Sequence, residues 1–338
     1  EAEMCGNAIR CAARYAWDSD WARHEPLRIL TAAGVRVLHR APQNAVTAAM
    51  GRPSPLSGSP IRWQEQTLTR LSIGNPHGVL FCRDVVGFPL AEAAAEIAKT
   101  ARLNLEAVEP LIQRQLRMNL AIAEEGLRRD WGANIGSVLL RHNGDGVKNR
   151  AKAMAAAGSD ARMSGCELPV CIVSGSGNQG ITASVPVAVY AKELNVGEEK
   201  TIRAVLLSDL LTIHLKTGIG RLSAYCGAVS AGCAAGAAIA WLHGGGYAEI
   251  AHTLVNALAI TSGIVCDGAK PSCAAKIATA VETGILGYEM YCDGQQFYSG
   301  EGLVGKGVER TIRNIGRLGR EGMRATDEEI LRIMTQCV

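Results

Sequence analysis

The residues of this chain with the greatest capacity for chemistry are its 11 cysteines. Cys226 and Cys233 are seven residues apart, and so are Cys266 and Cys273. Seven residues make two helical turns, so each pair could share a helix face, where cysteines are commonly core residues. The segment from Cys266 to Cys273 contains Asp, Gly, Lys and Pro, which favours a loop for these two thiols. Thiolates on a loop can converge on a metal, and because no CxxC zinc spacing occurs, an iron–sulfur cluster is a candidate.

A polar segment, SGSGNQG at residues 174–180, opens into an apolar run. Its backbone N–H groups and small hydroxyls are of the kind that hold a carboxylate or a phosphate. A plain turn before a helix has a similar composition, so the segment alone is a weak signal.

Near the N-terminus, Cys5 comes directly before a predicted helix from Asn7 to Trp17. A thiol at a helix N-terminus has a lowered pKa, and the same N–H groups can hold a carboxylate. Cys5 therefore has the setting of a base beside an amino-acid substrate. The alternative is a capped helix with incidental cysteines.

The elements that must position these residues change in character near residue 90. Seven of the 11 prolines and none of the lysines come before that point. Residues 1–90 read as a small α+β module, a short helix followed by short strands joined by turns. Residues 91–338 read as long, Ala-rich helical segments separated by glycine clusters, so we predict a mainly α domain.

Composition excludes several classes of protein. Hydrophobic residues make up 48% and charged residues 20%, which excludes an intrinsically disordered chain. A net charge of +3 and 4% aromatic residues give no reason to expect a nucleic-acid partner. Residues 222–242 carry no charge but are mostly small, which favours a buried helix over a membrane span. The odd number of cysteines does not suit a disulfide framework, so we expect a cytoplasmic protein with reduced thiols.

Five segments carry a resemblance that extends from about residue 95 to the C-terminus. They read GDGVKNRAKAMAAAGSDARMSGCELPV, SGSGNQGI, TGIGRLSAYCGAVSAG, GIVCDGAKPSCAAK and VERTIRNIGRLGREGM. Together they resemble the L-cysteine desulfidase family, which is related to the α subunit of iron–sulfur L-serine dehydratase. The resemblance implies a mainly α fold of the serine dehydratase α type. It also implies β-elimination of L-cysteine or L-serine to pyruvate, ammonia and sulfide or water.

The same resemblance implies a [4Fe–4S] cluster that activates a small amino-acid substrate. The residues implied are Cys226, Cys266 and Cys273 as cluster ligands, and Ser174, Ser176, Asn178, Gln179 and Gly180 as the substrate loop. If so, the sulfurs of Cys226 and Cys266 should lie within about 7 Å of each other, with residues 174–180 facing the same pocket.

Four charged residues near these segments have roles that the sequence leaves open. Asp267 and Lys270 lie inside the ligand segment and are expected to support it. Lys216 and Arg221 could bind a carboxylate, although surface salt bridges explain them equally well. No lysine lies in a pyridoxal-phosphate motif, and the GCTEP segment that supplies a further cysteine in family members is absent. The oligomeric state is left open, a homo-oligomer included.

Residues 1–88 carry a second resemblance, through MCGNAIRC and IGNPHGVLF, to the middle of diaminopimelate epimerase. It implies that Cys5 is a thiol base and that Asn7 and Asn75 contact the substrate. The opposing cysteine motif of that family is absent, and one thiol alone cannot invert a carbon centre. Two alternatives to the lyase therefore remain, an amino-acid isomerase built on Cys5 and an inactive fused or truncated paralogue.

Overall fold

The computed structural model describes residues 6–31, 34–42, 45–49, 54–55, 61–63, 66–72, 76–80, 108–220 and 223–336. The chain divides into two compact units, residues 1–86 and residues 87–338. This division falls close to residue 90, where the composition of the sequence changes.

The described residues of the first unit form one helix and two small antiparallel sheets. Its elements are α1 (Gly6–Asp18), β1 (Leu27–Thr31), β2 (Gly34–Ala41), β3 (Ala45–Ala48), β4 (Ser54–Pro55), β5 (Ile61–Trp63), β6 (Gln66–Ser72) and β7 (Pro76–Leu80). One sheet has the order β1-β2-β3, and in the other β6 pairs with β4, β5 and β7. Ile9, Ala13 and Trp17 recur every four residues along α1, so they share one helix face and pack with Leu38 of β2 in a small core.

The second unit is helical. Its helices are α2 (Glu109–Arg128), α3 (Ile135–Asn143), α4 (Val147–Met163), α5 (Gly177–Glu193), α6 (Glu198–Ile219), α7 (Gly227–Leu242), α8 (Tyr247–Thr261), α9 (Ser272–Cys292), α10 (Val308–Arg317) and α11 (Arg324–Gln336), with a π-helical turn at Leu318–Gly322. Between residues 108 and 336 the described chain has only two isolated β-bridges besides its helices and loops. The predicted mainly α fold is thus confirmed.

Helix α7 forms the centre of this unit. Every residue from Ala228 to Leu242 is buried, and the helix packs against α5, α6, α8 and α9. Its glycines allow this close packing, because a Cβ added at Gly236 would lie 2.3 Å from the backbone oxygen of Gly284 in α9. The uncharged segment is therefore a buried helix, as its small residues predict. Within the described residues, no helix has both the length and the apolar character needed to cross a membrane.

A buried carboxyl group lies between α6 and α2. Asp209 of α6 is 8% exposed, and its Oδ1 accepts a hydrogen bond from Nε2 of Gln115 in α2 at 3.0 Å. Burial raises the pKa of Asp209 to about 7, and the Gln115 hydrogen bond offsets only part of this rise. Ionising this group therefore costs the folded state stability.

We expect Asp209→Asn to stabilise the protein at pH 8 and to have little effect at pH 4. Because the pKa is higher in the folded state than in the unfolded state, the folded chain holds an extra proton between about pH 4 and pH 7. The free energy of unfolding of the wild type therefore falls as the pH rises through this window, whereas asparagine stays neutral and can still accept from Gln115. The gain should reach about 2–4 kcal/mol above the window. Urea unfolding at several pH values measures it, and a gain that does not vary with pH would contradict the burial argument.

Candidate active site

Two of the predicted ligands, Cys226 and Cys266, lie close together in the segments that precede α7 and α9. The N–H of Cys226 donates to the backbone oxygen of Ile264 at 3.2 Å, and the N–H of Cys266 donates to that of Ala224 at 2.6 Å. These bonds form a short antiparallel bridge, and residues in alternate positions of such a bridge point to the same side. The thiols of Cys226 and Cys266 lie close enough that each is the largest influence on the pKa of the other. The structure thus brings together the two cysteines that the sequence analysis placed near each other.

The two thiols differ in their titration. The hydrogen bond from Cys226 lowers the pKa of Cys266, and the N–H of Gly268 and the charges of Lys276 and Lys216 act in the same direction. The shared hydrogen bond and burial raise the pKa of Cys226. The pair therefore favours a thiolate on Cys266 that is hydrogen-bonded to a protonated Cys226.

The pair lies at the start of two buried helices. Cys226 is the N-cap of α7, and the N–H groups of Ala228 and Val229 in the first turn lower the pKa of its thiol, against the larger effects that raise it. Ser176 caps α5, where its Oγ accepts from the N–H of Gln179 at 3.4 Å. The side chain of Gln179 joins the two helix starts, because its Nε2 donates to the backbone oxygen of Gly227 at 2.9 Å. The start of α5, which carries the predicted substrate loop, therefore contacts the start of α7, which Cys226 caps.

Cys273 lies in a different setting from the predicted one. The sequence favoured a loop, but α9 begins at Ser272 and places Cys273 in its first turn. Pro271 directly precedes the helix, where its fixed φ is compatible with helix initiation and its missing N–H costs nothing. The Cys273 thiol donates to the backbone oxygen of Gly268 at 3.5 Å, and the N–H of the same glycine lowers the pKa of Cys266. Cys266 and Cys273 thus both lie beside Gly268.

Positive charge surrounds this group. Lys216, at the end of α6, is half-buried, and burial lowers its pKa although the Cys266 and Cys226 thiols oppose the shift. Lys276 of α9 donates to the backbone oxygen of Val265 at 2.9 Å and pairs with Asp267.

Asp267 and Lys270 were expected to support the ligand segment. Lys270 and Lys276 both pair with the Asp267 carboxylate. Although burial opposes it, the hydrogen bonds from the two lysines lower the pKa of Asp267 to about 2. Asp267 therefore orients two cations beside the cysteine loop. Arg221 lies outside the described residues.

Asn119 of helix α2 holds the backbone of Cys171, shortly before the predicted substrate loop. Oδ1 of Asn119 accepts from the N–H of Cys171 at 2.9 Å, and its Nδ2 donates to the backbone oxygen of Cys171 at 3.3 Å. A Cβ at Gly180 would lie 1.9 Å from that same oxygen. Gly180 therefore serves close backbone packing in this structure, although the resemblance assigned it to substrate contact.

The other predicted contacts occupy different positions. Ser174 is exposed with a φ of +48°, and Ser176 is engaged as the helix cap. Gln179 is fully buried, and its Oε1 has no hydrogen-bond partner within the described residues. Asn7 lies in the first turn of α1. Cys5 and Asn75 lie outside the described residues.

The sequence analysis did not single out Arg162, which lies near the end of α4. Its Nη1 donates to Oδ1 of Asn178 at 3.1 Å. Burial lowers its pKa, and the Cys273 thiol opposes this shift. An arginine in the last turn of an otherwise Ala-rich helix was the only signal in the sequence, and its proximity to α5 depends on tertiary packing.

Known proteins match this chain over most of its length. The family model of the serine dehydratase alpha chain matches residues 32–332. A UPF0597 protein of Desulfitobacterium hafniense is 65% identical over 243 residues, covering 72% of this chain and 56% of the relative. A UPF0597 protein of Lachnoclostridium phytofermentans is 51% identical over 254 residues, covering 75% of this chain and 61% of the relative. The chain thus spans little more than half the length of these relatives, and no solved structure matches it.

The family model also bears on the N-terminal unit. It begins at residue 32, inside the segment that resembles diaminopimelate epimerase, and it lends no support to that resemblance. The model covers far more than half of the chain and includes the whole thiol site. The chain therefore belongs to the serine dehydratase alpha chain family.

Proposed function

We propose that this chain carries the reaction centre of an amino-acid lyase that eliminates the β-substituent of L-cysteine or L-serine. The products are pyruvate, ammonia and either sulfide or water. The observation that carries the proposal is the Cys226–Cys266 thiol pair at the start of α7, joined through Gln179 to the start of α5. Membership of the serine dehydratase alpha chain family supports the reaction class.

The donor set fits an iron–sulfur cluster in its chemistry. Cys266 lies beside both Cys226 and Gly268, Cys273 donates to Gly268, and soft thiolates are the ligands that such clusters require. Over the described ranges, no three His, Cys, Asp or Glu side chains converge on a single metal position. A cluster does not need that convergence, because each thiolate binds its own iron and the sulfurs surround a volume. When bound, the cluster would supply a Lewis acid for the leaving group.

The residues of the chain itself would balance charge and orient the substrate. Lys216, Lys276 and Arg162 offset the negative charge of the thiolates. Because the Oε1 of Gln179 is buried without a partner among the described residues, it is suited to accept a hydrogen bond from the substrate ammonium group. The amide groups at the start of α5 favour an anion, as the substrate carboxylate is.

We expect protein that is purified without oxygen and loaded with iron and sulfide to form pyruvate from L-cysteine, from L-serine or from both. With L-cysteine, sulfide and pyruvate should appear in equal amounts, and brief exposure to air should abolish the activity. The D-amino acids are the matched control and should give no pyruvate. Failure of both L-amino acids would contradict the proposal and favour an inactive fused or truncated paralogue.

The isomerase alternative stays a prediction from the sequence. It depends on Cys5, for which the described residues hold no geometry. A pyridoxal-phosphate lyase is not proposed, since the sequence offers no lysine motif for that cofactor.

A further inference from the structure

Arg162 carries a positive charge into the second unit, where the described residues give it no acidic partner. It is half-buried, and in the described part of the chain no Asp or Glu forms an ion pair with it. Its hydrogen bonds go to the amide oxygen of Asn178 at 3.1 Å and to the sulfur of Met163 at 4.0 Å. Arg150, on the same helix, pairs with Glu193. A charge that leaves water is normally paired, so Arg162 is suited to an anion that the described residues do not provide.

The position of the guanidinium group is unusual. A Cβ added at Gly177 would lie 2.4 Å from Nε of Arg162 and 2.9 Å from its Cζ. Glycine at this position therefore leaves room for the guanidinium group beside the first turn of α5. The first N–H groups of a helix have no acceptor within the helix, and the helix dipole adds positive potential there. The guanidinium group of Arg162 and the start of α5 thus both contribute positive potential at the same place.

Asn178 orients the guanidinium group. Its Oδ1 accepts from Nη1 of Arg162, while its own backbone lies in the first turn of α5. The hydrogen bond to Asn178 thus holds one of the two terminal nitrogens of the guanidinium group. Arginine has five N–H donors in a planar arrangement. The remaining donors match the two oxygens of a carboxylate, which arginine binds in a bidentate manner.

We propose that Arg162 binds the α-carboxylate of the substrate and thereby restricts the site to amino acids with a free carboxylate. The inference rests on the proposed function, because it concerns the same site. Amides and esters of the same amino acids would carry the ammonium group and the β-substituent but would lack the anion. The competing role for Arg162 is an electrostatic interaction with the Cys273 sulfur, which would not discriminate between an acid and its amide.

Calorimetric binding of L-serine and L-serine amide to the iron- and sulfide-loaded protein, at a temperature low enough that turnover is negligible, separates these roles. At about pH 6.5 the amino groups of both ligands are protonated, so they differ in the carboxylate alone. We expect the wild type to bind the acid about 10- to 100-fold more tightly than the amide, the range of a charged hydrogen bond. In Arg162→Gln the affinity for L-serine should fall to the affinity for L-serine amide. The affinity for L-serine amide should be the same in Arg162→Gln and in the wild type. Arg162→Lys keeps the charge without the fork and should retain part of the preference.

Arg317→Gln is the control, since Arg317 is exposed and pairs with Glu321. It should keep the full preference for the acid. If Arg162→Gln weakens both ligands equally, or if the wild type does not discriminate between them, the inference is overturned while the lyase proposal stands. A loaded wild type that binds neither L-serine nor L-cysteine contradicts the proposed function itself.

Discussion

Cys226→Ala and Cys266→Ala are each expected to lose the iron–sulfur absorbance at about 400 nm together with the lyase activity. Each of the two thiols is the largest influence on the pKa of the other, so either substitution also changes the setting of the remaining sulfur. Changing residues that merely support a metal ligand already costs about 10- to 100-fold in affinity or activity. Loss of a ligand should therefore lower pyruvate formation by more than about 100-fold. Absorbance after anaerobic loading and the rate of pyruvate formation measure the two effects.

Cys233→Ala is the matched control for this pair. Cys233 lies seven residues after Cys226, inside α7, where it is fully buried and its thiol contacts the hydroxyl of Thr261 at 3.3 Å. Burial raises the pKa of Cys233 to about 12, so it remains a neutral thiol. Its substitution should leave the absorbance intact. If Cys226→Ala retains as much absorbance as Cys233→Ala, the ligand assignment is wrong.

Gly236→Ala is expected to destabilise the second unit by about 3 kcal/mol or more. The added methyl group would lie 2.3 Å from the backbone oxygen of Gly284 and 2.5 Å from its Cα. No rotamer change can relieve a contact with backbone, so α7 and α9 must move apart. Because Cys226 caps α7 and Cys273 begins α9, the same shift should also lower the activity. Urea unfolding measures the loss of stability.

Gly218→Ala offers the matched control, since it makes the same change inside a different helix. A Cβ at Gly218 of α6 would lie 3.4 Å from Cα of Gly316, an ordinary contact distance. Alanine is favoured over glycine inside a helix by up to about 1 kcal/mol, so the effect should be small or stabilising. Equal losses for Gly236→Ala and Gly218→Ala would contradict the close packing of α7 on α9.

Composition and motif resemblance predicted much of the architecture. The small residues of the segment around α7 predicted a buried helix, because only Ala and Gly allow neighbouring helices to surround it so closely. The proximity of Cys226 and Cys266 followed from the motif resemblance. The seven-residue spacing alone does not decide whether the cysteine pairs are core residues or metal ligands. Cys233 is a core residue in the structure, while Cys226 faces another loop.

What the sequence could not predict depends on contacts between distant segments. Arg162 and Asn178 are joined only because the end of α4 packs against the start of α5. Gly180 belongs to a polar motif that suggests substrate contact. In the structure the backbone oxygen of Cys171 leaves no room for a side chain at this position, so Gly180 serves close backbone packing. Cys273 was placed on a loop because Pro271 suggested a break, whereas the proline precedes a helix.

Titration of the iron- and sulfide-loaded protein with L-serine or L-cysteine, followed by its visible absorbance, tests the central claim most directly. That claim is that the Cys226–Cys266 pair forms the centre at which the substrate reacts. It predicts a saturable change in absorbance whose half-point agrees with substrate binding, and no such change in Cys226→Ala. Pyruvate formation with an absorbance that the substrate leaves unchanged would contradict it.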